Sequence, residues 1–376
     1  MKIMFNKSLM ESTLKIGKKL LYNKKSQFKY ANLSIKNSNE ITILIVSDEA
    51  QIKFDYQVEI VKGNIGENIT VDLKKLEKIV KAVDGTFLDI ENIDNTLFIN
   101  GNNTRSKIEL EKNIDLCSYK IEIKDSEKIA TVDFKEFSSI IKNVSCGLSN
   151  DDTRPVLKGY YMELKKNNLL LTSIDGFRTV TEKIWTLEKN IENYSCIIPG
   201  KELLTITQIK GKNEVEIFKY KNNSVYSVFK IDNIELIIRN IDGEFIEYEK
   251  LYRQLKEYNF KVNFKDAKKL TKVLKSFKDT CKTDRNCLIK LELDPEKNQV
   301  KIFNNNMSKS VDIEILKYDN YENKNFLIAF NLNYLLDSIK NLAGEFEAVF
   351  TTNVNPIIVK KLNYKHLLLP VRLAKR

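Results

Sequence analysis

One histidine, His366, serves a chain of 376 residues. Any Ser-His-Asp or Cys-His nucleophilic arrangement would have to use it. It opens the apolar C-terminal run HLLLPVRL with no carboxylate beside it, and it reads as a surface histidine at the start of a strand. The five cysteines, Cys117, Cys146, Cys196, Cys281 and Cys287, are odd in number and lack CxxC spacing. That argues against a disulfide framework or a zinc site and leaves reduced, mostly buried thiols. There is no phosphate-cradling loop, since Gly63 and Gly66 lack both the strand-turn-helix context and a following Lys-Ser/Thr. The adjacent acids Asp151 and Asp152 stand in a polar stretch, SNDDTR, with no matching cluster for a metal, and read as a solvated turn. Catalysis is poorly supported, no metal or cofactor is expected, and a binding or structural role leads. No run of about 18 apolar residues occurs, and Lys2, Lys7 and Glu11 interrupt the N-terminus. A soluble, cytoplasmic chain without a membrane partner is expected.

What the sequence does contain is repetition. Between Val71 and Gly85 the apolar residues Leu73, Leu76, Ile79, Val80 and Val83 recur at helical spacing, while Lys74, Lys75, Lys78 and Lys81 fill the other face. Asp72 sits at the N-cap position and Asp84-Gly85 closes the far end. The same opening recurs at Phe5-Asn6, Val132-Asp133, Val262-Asn263 and Phe330-Asn331, with a variant at Ile198-Pro199-Gly200 followed by Lys201 and Leu203. The six starts lie roughly 61 to 68 residues apart, the signature of a repeat architecture. Alternating apolar segments follow each helix: Ile41 to Val46, Thr86 to Asn100, Gly159 to Thr172, Val215 to Ile238, Cys287 to Phe303, and Glu345 to Val359. They read as antiparallel strands and hairpins. The expectation is an α+β chain of six helix-plus-sheet units, paired into three domains of roughly 125 residues: 1-124, 125-252 and 253-376.

A net charge of +11 and a pI near 9.1 favour an anionic partner such as nucleic acid. The chain is rich in Lys, Asn and Ile throughout, so any single lysine reads equally as part of a solvated face. The recurrence of Lys15, Lys18 and Lys19, of Lys74, Lys75 and Lys78, and of Lys268, Lys269, Lys272 and Lys275 within the repeated helices points instead to a shared anionic surface.

Three segments carry a family resemblance. They are Arg154-Pro155-Val156-Leu157-Lys158-Gly159 with Ser173-Ile174-Asp175-Gly176-Phe177-Arg178-Thr179; Ile241-Asp242-Gly243-Glu244-Phe245-Ile246-Glu247-Tyr248; and Leu367-Leu368-Leu369-Pro370-Val371-Arg372-Leu373. In this order and spacing they resemble the bacterial sliding clamp, the beta subunit of DNA polymerase III, over the whole chain. The resemblance implies the DNA clamp fold, closing as a head-to-tail homodimer into a ring with helices lining the hole and sheets outside. It implies a non-catalytic processivity factor that encircles duplex DNA without reading its sequence. The partners would be the replicative polymerase, a clamp loader and other proteins bearing a clamp-binding motif.

Carried over by position, the peptide pocket would be lined by Leu157, Ile174, Gly176, Phe177, Arg178, Thr179, Ile246, Lys250, Leu251, Val354, Pro356, Leu367, Leu369, Pro370, Val371 and Arg372. Without the family, Leu157, Val354 and Leu369 would be read as core packing. Phe177 stands where the family has His, Thr179 where it has a larger aliphatic, Ile174 where it has Thr, and Ile246 where it has Pro, so peptide preference is expected to differ. Lys24 and Arg154 match family basic positions for DNA, and Lys74, Lys78, Lys201, Lys268 and Lys272 are the helix lysines assigned to DNA. The dimer contact would pair Ile108 and Leu110 with Leu274 and Phe277. Two competing readings stay open: a monomeric basic repeat protein that binds nucleic acid non-specifically, or a membrane surface through LKIGKKLLYNKK, and a hydrolase or nuclease with ungrouped carboxylates.

Overall fold

The computed structural model describes residues 1–21, 28–111, 114, 116, 120–121, 126–188, 192–210, 213–220, 225–254, 260–280, 287–294, 296–319 and 326–373. It divides into two compact units: Met1–Ile141 with Leu164–Asn167 and Trp185–Asp242, and Lys142–Glu163 with Asn168–Ile184 and Gly243–Arg376. Among the described residues no helix is long and apolar enough to cross a membrane.

The first unit holds two antiparallel sheets. The smaller runs in the order Glu59–Lys62, Lys2–Asn6, Phe87–Ile93, Thr96–Asn100, Arg105–Glu109. The larger has eight strands: Ser126–Asp133, Glu214–Tyr220, Tyr226–Ile231, Ile234–Arg239, Ala50–Gln57, Glu40–Val46, Tyr30–Asn37 and Asn68–Asp72. Its central pairing sets Ile234 opposite Phe54 and Leu236 opposite Ile52. Two-residue alternation aims Ile41, Ile43 and Ile45 at the core, where all three are fully buried. Helix α1 (Lys7–Leu20) covers this core with Met10, Leu14 and Leu20. A Cβ on its Gly17 would come within 2.2 Å of Ile45 Cδ1, so the missing side chain permits a close approach.

Helix α2 (Leu73–Ala82) starts where the sequence places it, and Asp72 Oδ1 accepts from the amides of Lys74 and Lys75 at 2.9 Å. Its far end differs from expectation. The Asp84 carboxylate accepts from the amides of Asn103 and Thr104 and from the Thr104 hydroxyl, pinning the neighbouring turn. Those bonds, led by that from Thr104, hold the Asp84 carboxyl down at about 2. Helix α3 (Phe134–Val144) is capped by Asp133, which accepts from the Glu136 amide at 2.8 Å. Helix α4 (Gly200–Leu203) is a single turn passing into a 3-10 turn at Leu204–Gln208; Pro199 at its cap has no side-chain acceptor, which leaves this copy the shortest of the six.

In the second unit one sheet runs in the order Gly159–Lys165, Asn168–Ile174, Arg178–Trp185, Tyr364–Leu368, Ile357–Lys361, Phe346–Phe350, Phe260–Phe264, Ser310–Asp319, Gln299–Asn304, Leu288–Asp294, Phe326–Asn331. Helices α5 (Tyr248–Gln254), α6 (Ala267–Lys275) and α7 (Leu332–Ile339) pack with it. Asn331 caps α7 as expected, accepting from the amides of Asn333 and Tyr334. For α6 the expected cap at Asn263 is wrong. The strand continues through Phe264, and Asp266 caps instead, accepting from the Lys268 amide at 2.8 Å.

Candidate peptide-docking surface and basic helices

A single turn organises the candidate surface of the second unit. Asp175 Oδ1 accepts from the amides of Phe177 and Arg178 at 2.9 and 3.0 Å, and Gly176 between them takes φ +90°, which a Cβ would strain. The turn thrusts Phe177 outward, 56% exposed. Arg178 folds back instead, with Nε 2.8 Å from Asp175 Oδ2 and Nη1 2.6 Å from Asp337 Oδ2. Its guanidinium lies 4.3 Å from the Tyr334 ring, and the same ring stands 5.8 Å from Phe177. Burial opposes the Arg178 charge, but the bonds from Asp337 and Asp175 outweigh it and hold the guanidinium above its ordinary value. Burial likewise opposes ionised Asp337, and Lys340 and Arg178 overcome it, lowering the carboxyl.

The C-terminal strand completes this half. Arg178 pairs with Leu368 and Thr179 with Leu367, and the Leu369 amide donates to Phe177 O at 3.0 Å. Because Ile357 also pairs with Leu368, the turn carrying Val354 and Pro356 runs beside Leu369 and Pro370. Val371 N donates to Ala329 O, which ties the tail down, and Arg372 is exposed. The other half is a cluster of Leu157, Ile174 and Tyr248 packed with Val156, Tyr161, Phe245 and Tyr252. Phe245 stacks on Tyr161 at 4.8 Å, and Tyr252 donates to Thr179 O at 3.2 Å, joining the two halves. Leu157, Ile174, Thr179 and Leu367 are therefore buried walls, whereas Ile246, Val354, Phe177 and Leu369 are the apolar groups open to solvent. Leu251 is half-buried, and Lys250 is exposed and paired with Glu247.

The sequence reading missed Tyr334 and Asp337, and it quoted Asp175 only as part of the family motif, without a place in the pocket. The available signal was the cap at Asn331, from which Tyr334 and Asp337, three residues apart, fall on one face of α7. It also misplaced His366. That residue is fully buried; its Nδ1 meets the Tyr364 hydroxyl at 2.9 Å while Nε2 has no hydrogen-bond partner among the described residues. Burial drives its pKa down to about 3. Tyr364 and His366 share the inward face of their strand, and strand alternation would have shown it.

The helix lysines are solvent-facing. Lys74 and Lys78 on α2, and Lys268 and Lys272 on α6, are exposed, lie four residues apart and form no ion pair among the described residues. Lys18 and Lys81, by contrast, both bind Glu77. Lys201 and Arg154 are exposed, and Lys24 lies outside the described residues.

Residues 131–247 match the family model for the DNA polymerase III beta subunit, central domain, and residues 256–372 match that for its C-terminal domain. Together they cover more than half of the chain. The chain belongs to the DNA polymerase III beta subunit family. The beta sliding clamp of Bacillus subtilis is 26% identical over 238 residues, 62% of each chain. That of Staphylococcus aureus is 27% identical over 244 residues, 63% of this chain and 62% of the relative. The chain thus matches about 62% of the length of these curated relatives. The solved DNA polymerase sliding clamp of B. subtilis superposes with a TM-score of 0.86 at 18% identity, covering 100% of both chains. A putative DNA polymerase III beta subunit from Eubacterium rectale gives 0.85 at 20% identity, covering 99% of both. These structures establish the clamp fold.

The four residues expected at a dimer contact are for the most part covered within the single chain. Leu274 and Phe277 are fully buried and Ile108 is 5% exposed, each within its own unit. Lys309 lies 4.9 Å over the Phe277 ring and bonds to Ser276, sealing that side chain in. Of the four residues expected at a dimer contact, only Leu110 is even half-exposed. Alternation and helical spacing mark apolar faces, and here those faces turn into the core.

Proposed function

We propose that this chain is a DNA polymerase processivity factor, a non-catalytic sliding clamp of three domains, 1–124, 125–252 and 253–376. Two copies would close head to tail into a cytoplasmic ring carrying 2 × 11 = +22 around duplex DNA. The observation that carries the reading is the conjunction of beta-subunit family membership with exposed lysines at the same i, i+4 spacing on α2 and α6, which form no ion pair among the described residues. Such lysines hold phosphates without reading bases, so the ring slides. Among the described residues Arg105–Glu109 is the edge strand of its sheet, and it is suited to an intermolecular pairing, because an edge invites another strand and ring closure would remove it. Polymerase, loader and other partners would dock an extended peptide across Phe177, Ile246, Val354 and Leu369, whose exposed apolar groups sit on buried walls.

The deciding experiment loads the protein onto nicked circular DNA with a clamp loader and measures retention, at salt high enough to suppress direct phosphate binding, before and after one restriction cut. Release only after the cut is expected. Equal release from circle and line would replace the clamp with a monomeric basic protein that binds DNA electrostatically.

A further inference from the structure

If partner peptides dock at this surface, as proposed, its residues also set the chemistry of the ligand, and the inference rests on that reading. Arg178, on this surface, has its Nε held by Asp175 at 2.8 Å and its Nη1 by Asp337 at 2.6 Å, and its plane faces Tyr334. Its side chain is 10% exposed. Lys340 holds the other oxygen of Asp337 at 2.5 Å. Two carboxylates thus face two cations, and the cluster carries no net charge. What remains open above it is aromatic: the Phe177 ring against Tyr334.

We propose that Asp337 is a specificity-determining, positioning residue of this surface. By neutralising Arg178 and fixing it against Tyr334, it makes the seat at Phe177 an uncharged aromatic one. That seat takes an apolar anchor from a partner peptide and gives an acidic residue beside the anchor no advantage over a neutral one. An incoming carboxylate would compete with Asp175 and Asp337, which already compensate the guanidinium through short, charge-assisted bonds partly withdrawn from water. Asp337 and Tyr334 sit three residues apart on α7, so one helix sets carboxylate and ring together. Arg372 is exposed on a neighbouring segment and adds a general positive field, whereas the charge of Lys250 is offset by Glu247. Comparing two peptides on each variant cancels that background.

Two short peptides with the same Leu-Phe anchor, one with Asn and one with Asp beside it, are titrated calorimetrically into the full-length protein, into Asp337→Asn and into Asp337→Glu. The wild type is expected to bind the two within about twofold of each other. In Asp337→Asn, where Arg178 has lost half of its counter-charge, the acidic peptide gains about fivefold relative to the neutral one. Asp337→Glu, which keeps the charge, restores the wild-type ratio. A ratio that does not move in Asp337→Asn, whatever happens to overall affinity or melting temperature, overturns the inference. Failure of the wild type to bind either peptide overturns the docking reading, and this inference with it.

Discussion

His366 shows how one buried side chain couples this protein to pH. Below about 6.5 the unfolded chain takes up a proton on this imidazole, while the folded chain refuses it until pH falls to about 3. Acidification between those values therefore destabilises the fold, and above that window the group has no effect. The contribution is a slope of about 1.4 kcal/mol per pH unit. Urea unfolding of the wild type and His366→Gln at several values between pH 6.5 and 4 should show a shallower dependence in the variant. Parallel curves would mean that His366 is protonated in the fold. Its burial was legible in the alternation of Tyr364 and His366 but was obscured by the polarity of the residue. The partnership of Arg178 with Asp337 was not legible at all, because 159 residues separate them and only the pairing of Arg178–Trp185 with Tyr364–Leu368 brings α7 within reach.

Local chemistry carried the elements well. Asn6, Asp72, Asp133 and Asn331 all cap the helices that the sequence assigns to them, because an N-cap depends on a side chain and an amide two or three residues away. Replacing Asp72 with Ala removes the acceptor for two amides, and it is expected to cost about 1 kcal/mol, read as a lower denaturant midpoint with unchanged slope. An unaltered midpoint would mean that water satisfies those amides equally well. At α6 the same rule failed, since Asn263 and Asp266 are both competent caps and the decision lay in how far strand pairing extends. Phe264 pairs with Phe346 and stacks on it at 4.8 Å, which keeps the strand going past Asn263. The dimer expectations rest on apolar stripes alone, and such a stripe is the same pattern whether it meets its own sheet or another chain.

Across the whole molecule, the lysines matter as a set. If α2 and α6 face DNA in the proposed ring, the double change Lys268→Ala with Lys272→Ala should lower the salt dependence of DNA affinity by about one to two phosphate contacts. The effect should be the same for unrelated DNA sequences, as fluorescence anisotropy across a salt series would show. Loss of affinity on one sequence alone would point to base readout and away from a sliding contact.

The pairing of Ala50–Gln57 with Ile234–Arg239 has a consequence during synthesis. Asn233 reaches Asp55 O across 178 residues of chain. Growing from the ribosome at about 5–20 residues per second, the nascent polypeptide holds the Ala50–Gln57 edge unpaired for roughly nine to thirty-six seconds. Throughout that interval the strand of Ile52 and Phe54 has a sheet neighbour, Glu40–Val46, on one side alone, so premature termination before Ile234 yields a fragment with an open strand edge, the kind of product a cell must chaperone or degrade.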